Sequence, residues 1–218
     1  MWHWLVAFCL FSFPAGAQDV LSWYPLQVGN RWVYEWESRA GDPHTPHVAR
    51  WTAIVSVKQH VRTPEGLVIV RELVFEGEAN AGFVGRRLSA PYLVRNNCLY
   101  PLFESWDAQK QTFTRQFREY IEQISADLCS PLQVGRRWKG TADWPWLVEG
   151  NGPAKNGPQL GIPASAIRLV QEWTAGPLYV WFQQDVGPVA QWSRHNGTYT
   201  ESLGLLRRFV PAGSAPQR

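Results

Sequence analysis

Apolar and polar residues alternate with a period of two over much of the chain beyond its first 20 residues. Between Arg50 and Lys58 one set of alternate positions is mainly apolar and the other set is mainly polar. This pattern is typical of a strand with one face on a core and the other toward water. The same pattern predicts further strands at Leu67–Phe75, Ala166–Trp173, Leu178–Gln183, Val189–His195 and Thr198–Val210.

Turn-forming residues separate the later strands. The pairs Gly176-Pro177 and Gly187-Pro188 interrupt the apolar runs, and Asn196-Gly197 is the preferred dipeptide of a two-residue type I′ hairpin turn. We therefore predict a β-meander in the C-terminal third. The predicted fold class is mainly β, an antiparallel curved sheet or open barrel.

One segment departs from this alternation. Between Leu102 and Ser130 there is neither Gly nor Pro, and charge pairs of opposite sign recur four residues apart. Its apolar residues recur at helical intervals of three and four, namely at Phe113, Phe117, Ile121, Ile124 and Leu128. These patterns predict one amphipathic helix at about 111–126, although the first three of these positions also fit the period of a strand.

The first 17 residues have the pattern of a secretory signal peptide. An apolar stretch too short to span a bilayer, Leu5–Phe13, is followed by Pro14 and by the small residues Ala15-Gly16-Ala17. Cleavage is predicted before Gln18, which removes Cys9 and leaves an exported protein without a lipid anchor, periplasmic or extracellular. No later apolar run approaches the roughly 20 residues of a transmembrane helix.

The length of the remaining chain fits a single β-rich domain at residues 18–210, either undivided or built from two related halves, 18–125 and 126–210. A disordered tail is expected at 211–218. The formal charge of +3 is small, and the arginine pairs are scattered, so nucleic-acid binding is not indicated.

Two cysteines remain after the predicted cleavage, Cys98 and Cys129. An even number of cysteines in an exported chain predicts a disulfide. The alternative is a reactive thiol pair, but the long spacing lacks the Cys-x-x-Cys arrangement that lowers a thiol pKa.

An eight-residue element occurs twice. Pro25–Trp32 reads PLQVGNRW and Pro131–Trp138 reads PLQVGRRW, so seven of the eight positions are identical. We interpret the glycines, Gly29 and Gly135, as turn positions, and the tryptophans as residues that anchor the start of a strand in the core. The alternative is a pair of equivalent ligand-binding elements.

With a late element, WFQQDVGPVAQW at residues 181–192, this repeat resembles a group of uncharacterised exported bacterial β-sheet proteins. In those proteins a P-L-x-x-G-x-x-W element precedes the first strand and a glycine-containing aromatic element precedes the last hairpin. The resemblance implies an envelope or secreted protein with a strongly curved sheet, distantly like the periplasmic lipoprotein carriers. It implies no catalytic residue.

Motifs of catalysis and metal binding are absent from the sequence. No Gly-x-Ser-x-Gly, His-Glu-x-x-His or phosphate-binding loop occurs, so no cofactor or metal is expected. His44 and His47, near Asp42, lie in a proline-containing segment that does not place them on one face, and a solvated turn is the favoured interpretation. The remaining acidic candidates are interpreted as surface carboxylates: Asp143, Glu149, Glu172 and Asp185.

Tryptophan is unusually frequent, with 13 residues in the chain. Trp144 and Trp146, beside a Gly/Pro-rich loop at residues 150–163, are the best candidates for an aromatic binding site, with a structural lid as the alternative. Two functions follow. One is a non-enzymatic exported protein that binds an apolar or amphipathic ligand, or an envelope protein, on a curved sheet. The other is a secreted hydrolase acting on polysaccharide or lipid.

Overall fold

The structure is a computed structural model that describes residues 20–42, 44–77, 84–102, 105–107, 109–114, 117, 124–140, 144–154 and 160–214. Its strands are β1 (Arg31–Ala40), β2 (His47–Thr63), β3 (Gly66–Gly77), β4 (Arg87–Ser89), β5 (Tyr92–Arg95), β6 (Cys98–Pro101), β7 (Trp106–Asp107), β8 (Thr112–Phe113), β9 (Leu128–Cys129), β10 (Arg137–Trp138), β11 (Trp146–Asn151), β12 (Ile167–Trp173), β13 (Gly176–Gln183), β14 (Gly187–His195) and β15 (Thr200–Val210).

One antiparallel sheet contains nearly all of these strands. Its order is β10-β11-β12-β13-β14-β15-β1-β2-β3-β5-β6-β9, and β4 pairs with β3 beside this path. The sheet curves so strongly that its two ends, β10 and β9, lie close together. Between them, the Trp138 indole of β10 donates a hydrogen bond to the Ala126 carbonyl, just before β9, at 3.2 Å. The Ser125 hydroxyl likewise donates to the Gly140 carbonyl. The predicted mainly β, antiparallel curved sheet is confirmed.

Alternate side chains point to the inside of this curve, which we call the inner face. It carries Trp32, Val55 and Ile69 in one continuous core. Two patches of the opposite, outer face are also buried. The β7–β8 hairpin and Phe117 cover Val68 and its neighbours, while residues of the Gly/Pro-rich loop cover an outer patch around Trp181 and Trp192, with Ala154, Leu160 and Ile162 in contact.

The predicted C-terminal meander is confirmed, because β12 to β15 pair consecutively. Its predicted two-residue turn is wrong. Residues 196–199 form a four-residue turn between His195 and Thr200, which are paired. A type I′ turn needs positive φ at both central residues, whereas positive φ occurs here at Tyr199 (38°) and not at Asn196 or Gly197. The Thr198 amide, which donates to His195 Nδ1, stabilises this longer turn.

The predicted helix at 111–126 is wrong at both ends. Thr112–Phe113 form β8, and residues 124–126 have no regular structure, although Phe117 is helical. Residues 115, 116 and 118–123 lie outside the described part of the chain. The Phe113 ring lies 5.1 Å from the Trp106 ring and 4.3 Å from the Phe117 ring, between centroids. Packing of these aromatic residues overrides the local helical pattern.

The two copies of the repeat form the same turn. The Gly29 amide donates to the Val57 carbonyl at 3.0 Å, and the Gly135 amide donates to the Val148 carbonyl at 2.8 Å. Both glycines have positive φ, 96° and 88°, which side chains rarely tolerate. Both copies therefore have the same backbone turn, one just before β1 and the other just before β10.

The tryptophans of the two copies differ in burial. Trp32 is completely buried and donates from Nε1 to the Val186 carbonyl at 2.6 Å. Trp138 is half-buried at the seam of the sheet and lies 6.4 Å from the Trp146 ring. Trp32 thus lies in the core, whereas Trp138 lies where the two ends of the sheet meet.

The predicted disulfide is confirmed. Cys98 on β6 and Cys129 on β9 are paired neighbours with an S–S distance of 2.03 Å, and both are buried. The bond attaches a two-residue end strand to the rest of the sheet, where few backbone hydrogen bonds are available to hold it.

Removing this disulfide should destabilise the protein. Because the bond closes a loop with a sequence separation of 31, the Cys98→Ala/Cys129→Ala double variant should lose about 3 to 4 kcal/mol in free energy of unfolding. Urea unfolding measures this loss. The unreduced mature protein, which lacks Cys9 after the predicted cleavage, should also take up no alkylating reagent after denaturation. Coincident urea midpoints for the two proteins would contradict the prediction.

The ends of the chain are described only in part. Residues 211–214 of the predicted disordered tail form a turn, in which the Ala212 amide donates to the Asn30 side chain at 2.6 Å. The predicted signal peptide and residues 215–218 lie outside the described residues. No helix in the described ranges is long and apolar enough to cross a membrane.

Candidate functional site

The inner face surrounds a cavity of about 660 Å³, which we call the inner cavity. Its wall consists mainly of large apolar side chains. The aromatic members include Tyr34, Trp36, Trp51, Phe75, Trp146 and Phe182. The aliphatic members include Val55, Leu73, Leu99, Leu128, Leu178 and Val180.

Strand periodicity builds this wall. Tyr34 and Trp36 are two residues apart on β1, and Leu178, Val180 and Phe182 take alternate positions on β13. Successive side chains of a strand point to opposite faces, so each of these strands contributes every second residue to the cavity. The apolar positions of the sequence pattern thus form both the core and the cavity lining.

Two stacked indoles form part of the wall. Trp36 on β1 and Trp51 on β2 are cross-strand neighbours, with ring centroids 5.9 Å apart and planes only 3° from parallel. The Trp36 ring lies over Gly204 of β15, where an added Cβ would be 2.5 Å from the ring. Glycine at 204 therefore allows the indole to lie flat against the sheet.

A polar group of four residues interrupts the apolar wall. Arg71 Nη1 donates to the Tyr24 hydroxyl at 3.2 Å, and the Tyr92 hydroxyl donates to Asp127 Oδ2 at 2.8 Å. The Arg71 guanidinium also stacks on the Tyr92 ring, 3.8 Å from its centroid. All four side chains line the inner cavity.

Burial shifts the pKa values of Tyr92 and Asp127 in this polar group and of Tyr34 nearby in the cavity wall. It raises the pKa of the Tyr92 phenol well above the ordinary value, despite the opposing charge of Arg71. Burial also raises the pKa of Tyr34, whose hydroxyl donates to the Pro188 carbonyl. The pKa of Asp127 is raised by burial, against the Tyr92 hydrogen bond and the Arg71 charge. Both phenols are therefore neutral near pH 7.

Of the two tryptophans proposed from sequence as binding residues, Trp146 is buried and lines the inner cavity. Trp144 is half-buried and is not among the lining residues, and its carbonyl accepts a hydrogen bond from Gln171. The Gly/Pro-rich loop packs on the outer face, where Arg168 donates to the Gly152 carbonyl. This loop therefore does not border the cavity in the residues described.

The acidic and histidine candidates lie apart from the cavity. Glu149 forms an ion pair with Arg168, while Glu172 and Asp185 are exposed, and Asp143 lies outside the described residues. His44 and His47 are exposed in and next to a turn. Within the ranges that the structure describes, no group of three or more His, Cys, Asp or Glu residues could hold a metal ion.

Arg71 was not predicted as a site residue from the sequence. This residue lies on the same side of β3 as Ile69 and Leu73, so the alternation already directed its charge to the inner face. A single charged residue at an inward position of an apolar strand is the signal that could have identified it. Tyr24, Tyr92 and Asp127 had no such signal, because distant parts of the chain bring them to Arg71.

Comparison with known proteins gives distant structural likenesses. No family model matches the chain, and no curated protein matches it. An exported protein of YmcC-like fold from Bacteroides fragilis superposes with a TM-score of 0.43 at 15% identity, over 85% of this chain and 97% of that one. A lipoprotein from Parabacteroides distasonis gives 0.42 at 9% identity, over 85% and 96%.

A LolA superfamily protein from Nitrosomonas europaea gives a TM-score of 0.34 at 11% identity, over 91% of this chain and 92% of that one. Likenesses at this level carry no conclusion about what this chain binds.

Proposed function

We propose that this chain is an exported, non-enzymatic protein that binds an apolar or amphipathic ligand in the inner cavity. The observation that carries the proposal is the cavity itself, about 660 Å³ in volume and lined mainly by aromatic and aliphatic side chains. Ligand sites typically have volumes of about 300 to 1,000 Å³ and predominantly apolar walls. Export is supported by the N-terminal sequence pattern together with the disulfide.

The physical driving force is the removal of apolar surface from water. Each square ångström of apolar surface buried contributes about 25 cal/mol, so contact with several indoles and leucines binds a lipid-sized molecule without a charged partner. Because the sheet encloses this surface, a small amphipathic molecule fits it better than a folded envelope protein does.

The hydrolase alternative receives less support. Glycoside hydrolysis requires two carboxyl groups facing each other across the substrate. Among the described residues that line the inner cavity, Asp127 is the single carboxylate, and the Tyr92 hydroxyl already occupies one of its oxygens. Glu149 is paired with Arg168, away from the cavity. We therefore favour binding over catalysis.

Saturable binding of a neutral apolar probe tests the proposal. N-phenyl-1-naphthylamine should gain fluorescence with the wild type and saturate. Trp146→Ala should weaken its binding by about 2- to 10-fold, because one aromatic contact in the wall is lost. Trp173→Ala is the matched control, since Trp173 is 43% exposed and lies outside the lining residues.

Trp144→Ala provides a second comparison, and we expect a smaller effect than for Trp146→Ala because Trp144 is not in the wall. All titrations are carried out below the melting temperatures of the variants, so that each protein is folded. A linear, unsaturated fluorescence response of the wild type would contradict the proposed function, as would equal affinities of the Trp146→Ala and Trp173→Ala variants.

A further inference from the structure

The inner cavity contains a buried cation. Arg71 is 9% exposed, and it lies on β3 between the inward-facing Ile69 and Leu73. Burying an ionised group away from water costs several kcal/mol unless partners compensate it. The cost of burying the Arg71 guanidinium in a mainly apolar wall must therefore be offset by its hydrogen bonds and other contacts.

Protein partners use only part of the hydrogen-bonding capacity of Arg71. Nε donates to the Ala90 carbonyl at 3.0 Å and Nη1 donates to the Tyr24 hydroxyl at 3.2 Å. A guanidinium has five N–H donors, two of them on Nη2. Within the described part of the chain, no acceptor bonds to Nη2, although Arg71 lines the cavity.

Asp127 does not neutralise Arg71 by direct contact. Its Oδ2 accepts the Tyr92 hydrogen bond, and Asp127 and Arg71 form no ion pair. Burial raises the pKa of Asp127, which favours its uncharged form relative to an exposed carboxyl group. The direct contacts of the Arg71 guanidinium are thus a tyrosine ring and two neutral oxygens, and Asp127 acts on it only through space.

Tyr24 adds a second donor at the same place. Its oxygen accepts from Arg71 Nη1, which leaves its own proton for another acceptor. No described residue accepts that proton, and Tyr24 lines the cavity beside Arg71. An anionic oxygen there would receive charge-assisted hydrogen bonds, which are shorter and stronger than neutral ones.

The cavity is apolar away from this polar group. On β3, Arg71 is paired with Val57, and Gly77, six residues further, is paired with Trp51 of the indole stack. Six strand residues span about 20 Å. An extended alkyl chain would lie along the strand in this direction, from Arg71 toward the indole stack. Leu88, 46% exposed, also lines the cavity and is paired with Leu73.

We propose that the ligand is a single-chain amphiphile whose anionic headgroup, a carboxylate or a phosphate, binds Arg71 and Tyr24 while its alkyl chain extends toward Trp36 and Trp51. This inference rests on the proposed function and specifies its ligand class. The headgroup supplies the acceptors that the protein leaves unoccupied, and the alkyl chain covers the apolar wall.

Competition among amphiphiles of equal chain length tests the inference. Dodecanoate, dodecyl phosphate, dodecanol and dodecyltrimethylammonium, each below its critical micelle concentration, compete with bound N-phenyl-1-naphthylamine. At least one anion should displace the probe at a concentration about tenfold or more below that of dodecanol, as expected for a hydrogen bond to a charged group. The cation should be the weakest competitor. Comparison of the two anions identifies the preferred headgroup.

Arg71→Gln should reduce the anion advantage to about 2-fold or less while the neutral probe still binds. Arg208→Gln is the matched control, because it makes the same substitution at an exposed arginine outside the cavity lining and should retain the anion advantage. If the wild type shows equal displacement by anion, alcohol and cation, the headgroup inference is wrong although the proposed function stands. This comparison needs no variant, so a misfolded Arg71→Gln protein leaves the test intact. Absence of saturable probe binding would instead contradict the proposed function.

Discussion

Replacing Trp32 with alanine should lower the free energy of unfolding by about 3 to 5 kcal/mol, because a completely buried indole leaves a cavity behind. Its ring packs edge to face on Tyr24, with centroids 5.1 Å apart, and stacks on Phe209 at 5.2 Å. The variant also leaves the Val186 carbonyl without its indole donor. Urea unfolding followed by circular dichroism measures the loss.

Two further variants separate the contributions of this residue. Trp32→Phe keeps an aromatic ring but removes the N–H donor, so its loss should be smaller than that of Trp32→Ala. Trp173→Ala deletes an indole that is 43% exposed and should change stability by no more than about 0.5 kcal/mol. A Trp32→Ala protein as stable as Trp173→Ala would show that the repeat does not anchor the core.

Local patterns explain how much of the fold was predictable. The alternation at Leu67–Phe75 lies within β3, which extends to Gly66–Gly77, because the side-chain period of a strand is a property of neighbouring residues. The hairpin turn at 196–199 was not predictable from the Asn-Gly dipeptide. Pairing of His195 with Thr200 leaves four residues between the strands, and this register depends on the whole hairpin.

The segment 111–126 shows where local pattern fails. Its apolar spacing fitted both a helix and a strand, and charge pairs favoured the helix. In the structure, Phe113 belongs to β8 and packs on Trp106 of β7. Such a contact depends on how the segment folds back on itself, which the spacing of apolar residues alone does not determine.

The candidate site was predictable only in part. Trp146 was proposed from composition and its position near the loop, and it lines the inner cavity. The group around Arg71 was missed, since Tyr24 precedes β1, Tyr92 belongs to β5 and Asp127 precedes β9. The sheet order brings these residues together, and no sequence motif describes an arrangement of such distant positions.

Filling the inner cavity should weaken ligand binding strongly. Val180 lines the cavity. It lies on β13, where its neighbours on the adjacent strands are Leu169 of β12 and Gln191 of β14. A tryptophan at 180 would place an indole in the space that the ligand needs, so the affinity for an apolar probe should fall about tenfold or more. Added bulk in a packed interior costs about 1 to 3 kcal/mol, so the variant should remain folded if the wild type has ordinary stability.

Val134→Trp is the matched control because it makes the same substitution at a turn residue that is 67% exposed. It tests whether an additional indole by itself changes the response of the probe. Thermal melts of both variants establish that any loss of binding occurs in a folded protein.

The most direct test of the binding function is a titration of N-phenyl-1-naphthylamine into the wild type, Val180→Trp and Val134→Trp, with probe emission as the readout. The wild type and Val134→Trp should saturate with the same affinity, whereas folded Val180→Trp should bind at least about tenfold more weakly. If folded Val180→Trp binds the probe as tightly as Val134→Trp does, the inner cavity is not the binding site.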